Sequence, residues 1–333
     1  MARLPVPGQD GTNWGDLLNG FLRSTIINVQ DKGADQTGAT DATAAIQSAI
    51  NDAATGSTVG GVVYFPPGTY LIGSALTLKS NVILTGNGYS TILKKKDGSG
   101  TFPVIGSGGQ AISNAVIEKI RINGNKSTQT NSTSGQGGIE LTTAGSLGNR
   151  VDNVYIENTV NNAIALSGSN NSVTTCTIKA IGLGTTSNNN SAIDMTGIGS
   201  LVADNSIYTT VGQGIKLNTG SHNSIVSDNR IYGAQARGIY VQGSNYVVVA
   251  GNALEACNLT GILVGDAAGA SGGKCLGCSI TGNMIKGTTG SPGNGILLYV
   301  GDRHTACSNN CTANAGTEVL LTNVTASTTI GNV

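Results

Sequence analysis

Two neighbouring stretches decide the fold: GIKLNTGSHNSIVSDNRIYGAQAR, which begins at Gly214, and GIYVQGSNYVVVAGNALEACNLT, which begins at Gly238. The same opening recurs as GILVGDAAG from Gly261 and GILLYVGD from Gly295, so the units start 24, 23 and 34 residues apart. Each unit holds a short alternating strand, a turn rich in Gly, Ser and Asn, and a second apolar strand. Alternation at period two indicates half-buried strands, and no segment between them has helical periodicity. The repeat therefore predicts an all-β, single-stranded parallel β-helix, a solenoid with three short strands per turn.

The repeat extends toward the N-terminus, where earlier units begin near Ile139, Ala163 and Ala192. Each turn of the coil adds about 4.8 Å, so roughly ten turns predict a rod about 50 Å long. Four asparagines share a D/G-N-x-I/L or related context, one per unit: Asn205, Asn229, Asn252 and Asn283. Stacked turn asparagines hydrogen-bond along the axis and tolerate a left-handed backbone. We therefore expect a structural asparagine ladder.

The segment before these repeats predicts a helix. Its apolar positions follow i, i+3, i+4, i+7, i+8 and i+11, and they are Ala42, Ala45, Ile46, Ala49, Ile50 and Ala53. This spacing is typical of an amphipathic helix, with Thr40 or Asp41 as its N-cap. Because the open end of a solenoid exposes apolar core and unpaired backbone, we expect this helix to cap the coil.

The first residues, 1–25, are predicted to form a separate leader or attachment segment, and residues 26–333 the β-helix domain. Apolar side chains recur at helical spacing in the leader at Trp14, Leu17, Leu18, Phe21 and Leu22. They fit either docking onto the end of the rod or an element for attachment and oligomerisation.

Composition excludes several classes of protein. Charged residues make up 11% of the chain, against about 25% in an average domain. The 18 basic and 18 acidic side chains cancel, which argues against nucleic acid as a partner. No stretch approaches the ~18 apolar residues of a membrane span.

The run NVQDKGADQTGATDATAAIQSAINDAA…GGVVYFPPGTYLI, from Asn28 to Ile72, resembles the N-terminal part of the pectate-lyase-like, right-handed β-helix superfamily. That superfamily includes polygalacturonases, rhamnogalacturonases, alginate epimerases and phage tailspikes. The resemblance implies a right-handed coil over about residues 26–333 and polysaccharide as the ligand class. The NTD…DD, G-H-G and R-I-K motifs of polygalacturonases are incomplete here, and the epimerase D-P-H-E motif is absent. The resemblance therefore carries a fold and a ligand class but no mechanism.

Equivalent strand positions stack on successive turns, so aligning the GIxL strands predicts columns of side chains. One outward column contains Glu140, Ala165, Asp194, Lys216, Tyr240, Leu263 and Leu297. A second, two residues later, contains Thr142, Ser167, Thr196, Asn218, Gln242, Gly265 and Tyr299. Three ionisable groups in one column of such a charge-poor chain predict a polar patch on the middle turns.

This patch fits two chemistries, with Glu140, Asp194 and Lys216 as candidate catalytic residues. Glu140 and Asp194 lie two turns apart, about 9.6 Å between backbones, near the ~6.5–9.5 Å between the acid and base of inverting glycosidases. Alternatively, a lyase needs a base for the proton α to a uronate carboxylate and a cation beside that carboxylate. Lys216 and Tyr240 would share those roles. A solvated Asp194–Lys216 ion pair without any role also fits.

Substrate-binding positions are predicted around this patch at Thr196, Asn218, Tyr240, Gln242 and Arg237. Arg230 and Arg237 are both expected to line one wall of the groove. Tyr208 and Tyr232 occupy equivalent positions in DNSIY and DNRIY and should stack, either as packing or as a platform for sugar rings.

The last four cysteines form CxxC and CxxxC pairs on successive turns, at Cys275, Cys278, Cys307 and Cys311. Alignment of CSITGN with CTANAG places Cys278 over Cys311 and Cys275 near Cys307. Two disulfides, a four-thiolate zinc site and unlinked thiols all fit this spacing. Disulfides would imply an oxidising environment. Calcium in the groove is conceivable, although the sequence shows no ligand cluster, and no cofactor is otherwise expected.

These observations predict an extracellular, cell-surface or virion protein that binds and cleaves polysaccharide, as a glycoside hydrolase or a lyase. The alternative is a non-catalytic tailspike-like or adhesin rod that binds a receptor. A homotrimer that depends on residues 1–24 would accompany that alternative.

Overall fold

A computed structural model describes residues 26–55, 60–129, 135–182, 190–265 and 274–332. The chain coils into a parallel β-solenoid in which each turn contributes a strand to each of three sheets. Neighbouring strands in every sheet are parallel and come from successive turns. The predicted parallel β-helix is therefore confirmed. The leader, residues 1–25, lies outside the described part of the chain.

The first sheet contains twelve strands of three residues each. They are β1 (Ile26–Asn28), β3 (Val62–Tyr64), β6 (Ile83–Thr85), β9 (Val116–Glu118), β12 (Arg150–Asp152), β15 (Ser172–Thr174), β18 (Leu201–Ala203), β21 (Ile225–Ser227), β24 (Val248–Ala250), β28 (Ser279–Thr281), β31 (Thr305–Cys307) and β34 (Thr328–Ile330). From Val63 to Ala306 the central residue of each strand is buried. The alternation seen in the sequence thus places one side chain per strand in the core.

The second sheet contains eleven strands. They are β2 (Thr37–Asp41), β4 (Gly68–Ile72), β7 (Thr91–Lys95), β10 (Arg121–Asn123), β13 (Tyr155–Glu157), β16 (Thr177–Ile181), β19 (Ser206–Thr210), β22 (Arg230–Ala234), β25 (Ala253–Glu255), β29 (Met284–Lys286) and β32 (Asn310–Thr312). Tyr208 and Tyr232 are register partners in β19 and β22, as predicted.

The third sheet contains the GIxL strands. Its members are β5 (Leu76–Thr77), β8 (Ile105–Gly106), β11 (Ile139–Leu141), β14 (Ile164–Ser167), β17 (Ser191–Thr196), β20 (Gln213–Leu217), β23 (Arg237–Val241), β26 (Thr260–Gly265), β27 (Cys275–Leu276), β30 (Asn294–Asp302) and β33 (Val319–Thr325). The glycine of the motif is required by the close approach of the next turn. A Cβ on Gly214 would lie 2.6 Å from the carbonyl oxygen of Gly238, and one on Gly261 would lie 2.6 Å from that of Gly295.

The asparagine ladder is confirmed. Each amide oxygen accepts from the backbone N–H and the side-chain amide of the asparagine one turn earlier; for Asn252 these contacts with Asn229 are 3.0 and 2.9 Å. The ladder continues through Asn309 to Asn332. The left-handed backbone, however, belongs to the residue before each asparagine, such as Asp228 at φ 57°. The asparagine itself turns inward and replaces water as the partner of buried backbone groups.

The predicted helix is α1 (Thr43–Thr55). Its buried residues include Ile46, Ala49, Ile50 and Ala53, and it contacts β1, β3 and β5 at the start of the coil. The Asp41 carboxylate accepts from the Thr43 N–H at 3.0 Å, so Asp41 caps the first turn. The role of this helix as an amphipathic cap stays a prediction. Among the described residues, no helix is long and apolar enough to cross a membrane.

Candidate functional site

The predicted outward column exists in the third sheet. Register pairs join Glu140 to Ala165, Ala165 to Asp194, Asp194 to Lys216 and Lys216 to Tyr240. Tyr240 is followed by Leu263 and Leu297. The apolar neighbours of these residues in each strand point into the core, so the three charged side chains face outward and are half-buried.

One small residue separates the two carboxyl groups in this column. Ala165 lies between Glu140 and Asp194 and is 5% exposed, and Gly106 lies on the other side of Glu140. A Cβ on Gly106 would lie 3.0 Å from the Pro103 side chain, so Pro103 covers that position. The two carboxyl-bearing strands are two turns apart, or about 9.6 Å.

Asp194 is surrounded by groups that stabilise its charge. The Asn218 side-chain amide donates to the Asp194 carboxylate and, at 3.1 Å, to the Thr196 hydroxyl. Burial raises the pKa of Asp194, while the Lys216 ammonium and the Asn218 amide oppose that shift. Asp194, Thr196, Lys216 and Asn218 are thus brought together as predicted.

Glu140 has a different environment. Its carboxylate accepts from the Gly137 N–H at 2.8 Å. Burial raises the pKa of Glu140, and the Gly137 N–H and the Lys95 charge oppose that shift. The Lys95 side chain is 1% exposed, donates to the Phe102 carbonyl at 2.8 Å and lies 4.1 Å from the centre of the Phe102 ring. Burial lowers the pKa of Lys95 to about 8.

Sequence reasoning missed Lys95. It lies in the run KKK at positions 94–96, where an inward-facing lysine looks like its solvated neighbours. The alternation in β7, which buries Thr91 and Leu93, indicates that the Lys95 side chain also faces the core.

Tyr240 marks the other end of the polar patch. The Lys216 ammonium lies 5.9 Å from the centre of its ring, and the Arg237 guanidinium lies 4.8 Å from it. Tyr240 is only 7% exposed, so it presents little surface. Gln242 follows β23, where its N–H donates to the Leu217 carbonyl at 2.8 Å and its side chain is half-buried.

Arg230 does not join this group. The expectation that Arg230 and Arg237 line one wall of a groove is wrong, because Arg230 begins β22 of the second sheet. Sequence proximity misled here, since seven residues are enough for the chain to pass from one sheet to the next.

The predicted cysteine alignment is also wrong. Cys275 pairs in register with Gly301, Cys307 with Thr281, and Cys311 with Ile285. The Cys278 N–H donates to the His304 imidazole at 3.2 Å, so His304 and not Cys311 stacks on Cys278. The aligned letters came from different turns of the coil.

The cysteines are therefore distributed over different sheets. All six are free thiols in the structure, so of the three alternatives for Cys275, Cys278, Cys307 and Cys311 the structure has the unlinked thiols. Cys275, Cys307 and Cys311 belong to the third, first and second sheets, which does not fit a four-thiolate zinc site. Within the described ranges, no three His, Cys, Asp or Glu side chains are arranged to hold a metal ion.

The parallel β-solenoid fold and the amino-acid sequence both indicate the family to which the chain belongs. The sequence profile of the family described as rhamnogalacturonase A/epimerase, pectate lyase-like, matches residues 26–266. The chain belongs to this family, which confirms the resemblance seen in the sequence.

The chain is similar to individual proteins in sequence and in fold. It is 39% identical over 111 residues to mannuronan C5-epimerase AlgE3 of Azotobacter vinelandii, a match that covers 30% of this chain and only 6% of the epimerase. Among solved structures, the adhesin PfbA of Streptococcus pneumoniae has a TM-score of 0.69 at 16% identity, over 92% of this chain and 91% of PfbA. The tailspike of E. coli bacteriophage HK620, solved with a pentasaccharide, has a TM-score of 0.65 at 16% identity, over 94% of this chain and 68% of the tailspike chain. At this identity the structures share the fold.

Proposed function

We propose that the protein is a glycoside hydrolase that cleaves a polysaccharide on the outward face of the third sheet. The observation that carries the proposal is the pair of half-buried carboxyl groups, Glu140 and Asp194, on either side of Ala165. Their separation of about 9.6 Å between backbones leaves room for a sugar and a water between them, as inversion requires.

The environments of the two carboxyl groups assign their roles. Lys216 and the Asn218 amide favour the charged form of Asp194, so Asp194 is the base. Only the Gly137 N–H and Lys95 oppose the effect of burial on Glu140, so its raised pKa suits the acid. Glu140 donates its proton to the glycosidic oxygen as the bond to the anomeric carbon breaks. Water attacks that carbon from the opposite face and gives its proton to Asp194.

The neighbouring polar side chains bind the sugar. The Thr196 hydroxyl and the Asn218 and Gln242 amides offer hydrogen bonds to sugar hydroxyls along the second column. Polysaccharide as the substrate class is supported by the family and by the matched segment of a mannuronan epimerase. The adhesin and tailspike neighbours favour a location at the cell surface, outside the cell or on a virion.

A second reaction is favoured by the surroundings of Tyr240. Lys216 and Arg237 place two cations beside its ring, which suits a uronate carboxylate. In that case the tyrosine or Lys216 would remove the proton α to the carboxylate, and the bond between C4 and the glycosidic oxygen would break as the C4–C5 double bond forms. The leaving oxygen would take up a proton, and the new chain end would carry an unsaturated uronate.

The test incubates the purified protein with neutral and acidic polysaccharides and follows reducing ends together with the absorbance of unsaturated uronates. Reducing ends alone support hydrolysis, and both signals together support elimination. Glu140→Gln and Asp194→Asn should each lower turnover by about 10²–10⁴-fold. The control is Asp204→Asn, which changes an exposed carboxylate in a turn.

Unchanged turnover in both site variants would contradict the assignment of these residues. Binding without any product across the panel would replace the enzyme with a non-catalytic receptor-binding rod. A trimer in sedimentation that is lost without residues 1–24 would accompany that outcome.

A further inference from the structure

The outward face of the second sheet carries an excess of positive charge. Its strand positions from β7 to β29 present five cations: Lys94, Arg121, Lys179, Arg230 and Lys286. They present two carboxylates, Glu157 and Glu255. The excess of three positive charges lies on one face of a chain whose net charge is zero. On the first sheet, by contrast, Arg150 is outnumbered by Glu118 and Asp152.

Most of these cations lack an acidic partner among the described residues. Arg121 pairs with Glu157. In the described ranges of the chain, Lys94, Lys179, Arg230 and Lys286 form no ion pair within 4.0 Å. Arg230 and Lys286 are also exposed. Glu255 is the register partner of Lys286, but no ion pair within 4.0 Å joins them, so both cations can contact an anion from outside.

Aromatic rings lie between the cations. Tyr208 and Tyr232 follow Lys179 in one column, and Tyr232 is 46% exposed. Toward the N-terminal end, Arg121 lies 4.2 Å from the centre of the Tyr89 ring, which is itself 59% exposed. Flat rings beside cations match the two surfaces of an acidic sugar, its C–H face and its carboxylate or sulfate.

A cavity of about 360 Å³ opens on this face between β22, β25 and β29. Arg230, Tyr232, Glu255, Met284 and Lys286 are among the residues that line it. The small side chain of Ala253 lies between Arg230 and Met284 in the column, which leaves the space open. Glu255 is the one carboxylate in this lining, and the two cations outnumber it.

We propose that the second sheet binds an extended anionic polysaccharide along the axis of the coil, with the cavity at Arg230, Tyr232 and Lys286 as its principal subsite. The cations extend from Lys94 to Lys286 over seven turns, or about 34 Å, which suits a chain better than a small anion. This surface is separate from the Glu140–Asp194 pair on the third sheet. The inference is therefore independent of whether that pair cleaves a polysaccharide.

The test measures retention of the protein in native gels that contain polygalacturonate or alginate, with dextran as the neutral probe. The probing variant is Arg230→Gln/Lys286→Gln in an Asp194→Asn background, which slows any cleavage that depends on Asp194 during the run. The control, Arg150→Gln/Arg303→Gln in the same background, removes two exposed charges elsewhere. Thermal unfolding of each variant establishes that it is folded.

Both acidic polymers should retard the parent protein, less at higher salt because salt screens exposed charges, and dextran should not. The Arg230/Lys286 variant should bind about tenfold more weakly, while the Arg150/Arg303 variant binds as the parent does. Tyr232→Ala should also weaken binding with no change in charge.

Equal retention of the two double variants would overturn the proposal, because it would mean that net charge or another surface governs binding. Loss of binding in the Asp194→Asn parent itself would move the site to the third sheet. A dimer in sedimentation that Arg230→Gln/Lys286→Gln dissociates would make the face an interface between two copies of the chain.

Discussion

Replacing Asn252 of the ladder by alanine should destabilise the protein much more than replacing an exposed asparagine outside the ladder. Asn252 is 1% exposed, and its side-chain oxygen accepts from the Asn229 N–H and side-chain amide at 3.0 and 2.9 Å. Its amide donates to Val226 and Ala250 carbonyls and to the Asn283 side chain at 2.9, 3.1 and 2.9 Å. Alanine keeps none of these bonds and brings no partner for the groups left behind.

The magnitude follows from the buried groups that alanine would leave without a partner. Each hydrogen bond contributes about 1 kcal/mol net, and each buried donor or acceptor left unsatisfied costs about 1–3 kcal/mol. Because the Asn229 N–H would have no acceptor and the Val226 and Ala250 carbonyls would each have one donor fewer, we expect the free energy of unfolding to fall by about 3–5 kcal/mol. The exposed Asn310 of β32 is the matched control, and Asn310→Ala should change stability by less than about 0.5 kcal/mol.

The assay is equilibrium unfolding in urea followed by far-ultraviolet circular dichroism, with the slope of the transition compared among the proteins. A midpoint for Asn252→Ala that lies within error of the Asn310→Ala midpoint would refute the reasoning. It would mean that water or a backbone shift satisfies the freed groups, and that the ladder is a consequence of the coil and not one of its supports.

Three further outcomes are expected. Because burial raises the pKa of Asp194, the folded protein takes up a proton there at a higher pH than the unfolded chain, so stability from this group grows as the pH falls through the folded pKa toward about 4. Asp194→Asn should therefore be more stable than the parent at pH 7, and the difference in melting temperature should shrink on acidification; a constant difference would contradict the pKa shift. Denatured protein without reductant should give six reactive thiols, and fewer than six would reveal disulfides. In the native state only Cys307 should react readily with a thiol reagent, because the other five cysteines are buried. Burial also raises the pKa of three of them, Cys176, Cys257 and Cys311, to about 12. Ile50→Ala should cost about 2–5 kcal/mol if α1 covers the core, against little for the exposed Ser48→Ala, and equal effects would argue against a capping role.

The column of Glu140, Asp194, Lys216 and Tyr240 could be predicted because two periodicities coincide. Alternation within a strand decides which side chains face out, and the GIxL motif decides which strands are neighbours. The stacking of the cysteines was predicted wrongly because the alignment of CSITGN with CTANAG compared strands that are not neighbours in one sheet. Cys278 stacks on His304, and an alignment that matches cysteine with cysteine cannot show this pairing.

Two features were not predicted, for different reasons. The alternation in β7 indicates that Lys95 faces the core, but its effect on Glu140 depends on contact between the second and third sheets, which the sequence does not show. The basic face of the second sheet is spread over nearly two hundred residues, with at most one cation per turn at a given column. No window of the sequence shows it as a cluster.

The unequal spacing of the repeat units has a consequence for how such a protein can change. The step from Gly261 to Gly295 is 34 residues and the preceding step is 23, yet β26 and β30 pair without any shift, Ile262 with Ile296 and Leu263 with Leu297. Lengthening a connection costs little, about 0.6 kcal/mol for each doubling, whereas one residue gained inside a three-residue strand would invert its faces. Evolution or protein engineering can therefore insert new peptide into the connections between strands without changing the strand register. Binding specificity can then change more readily than the fold.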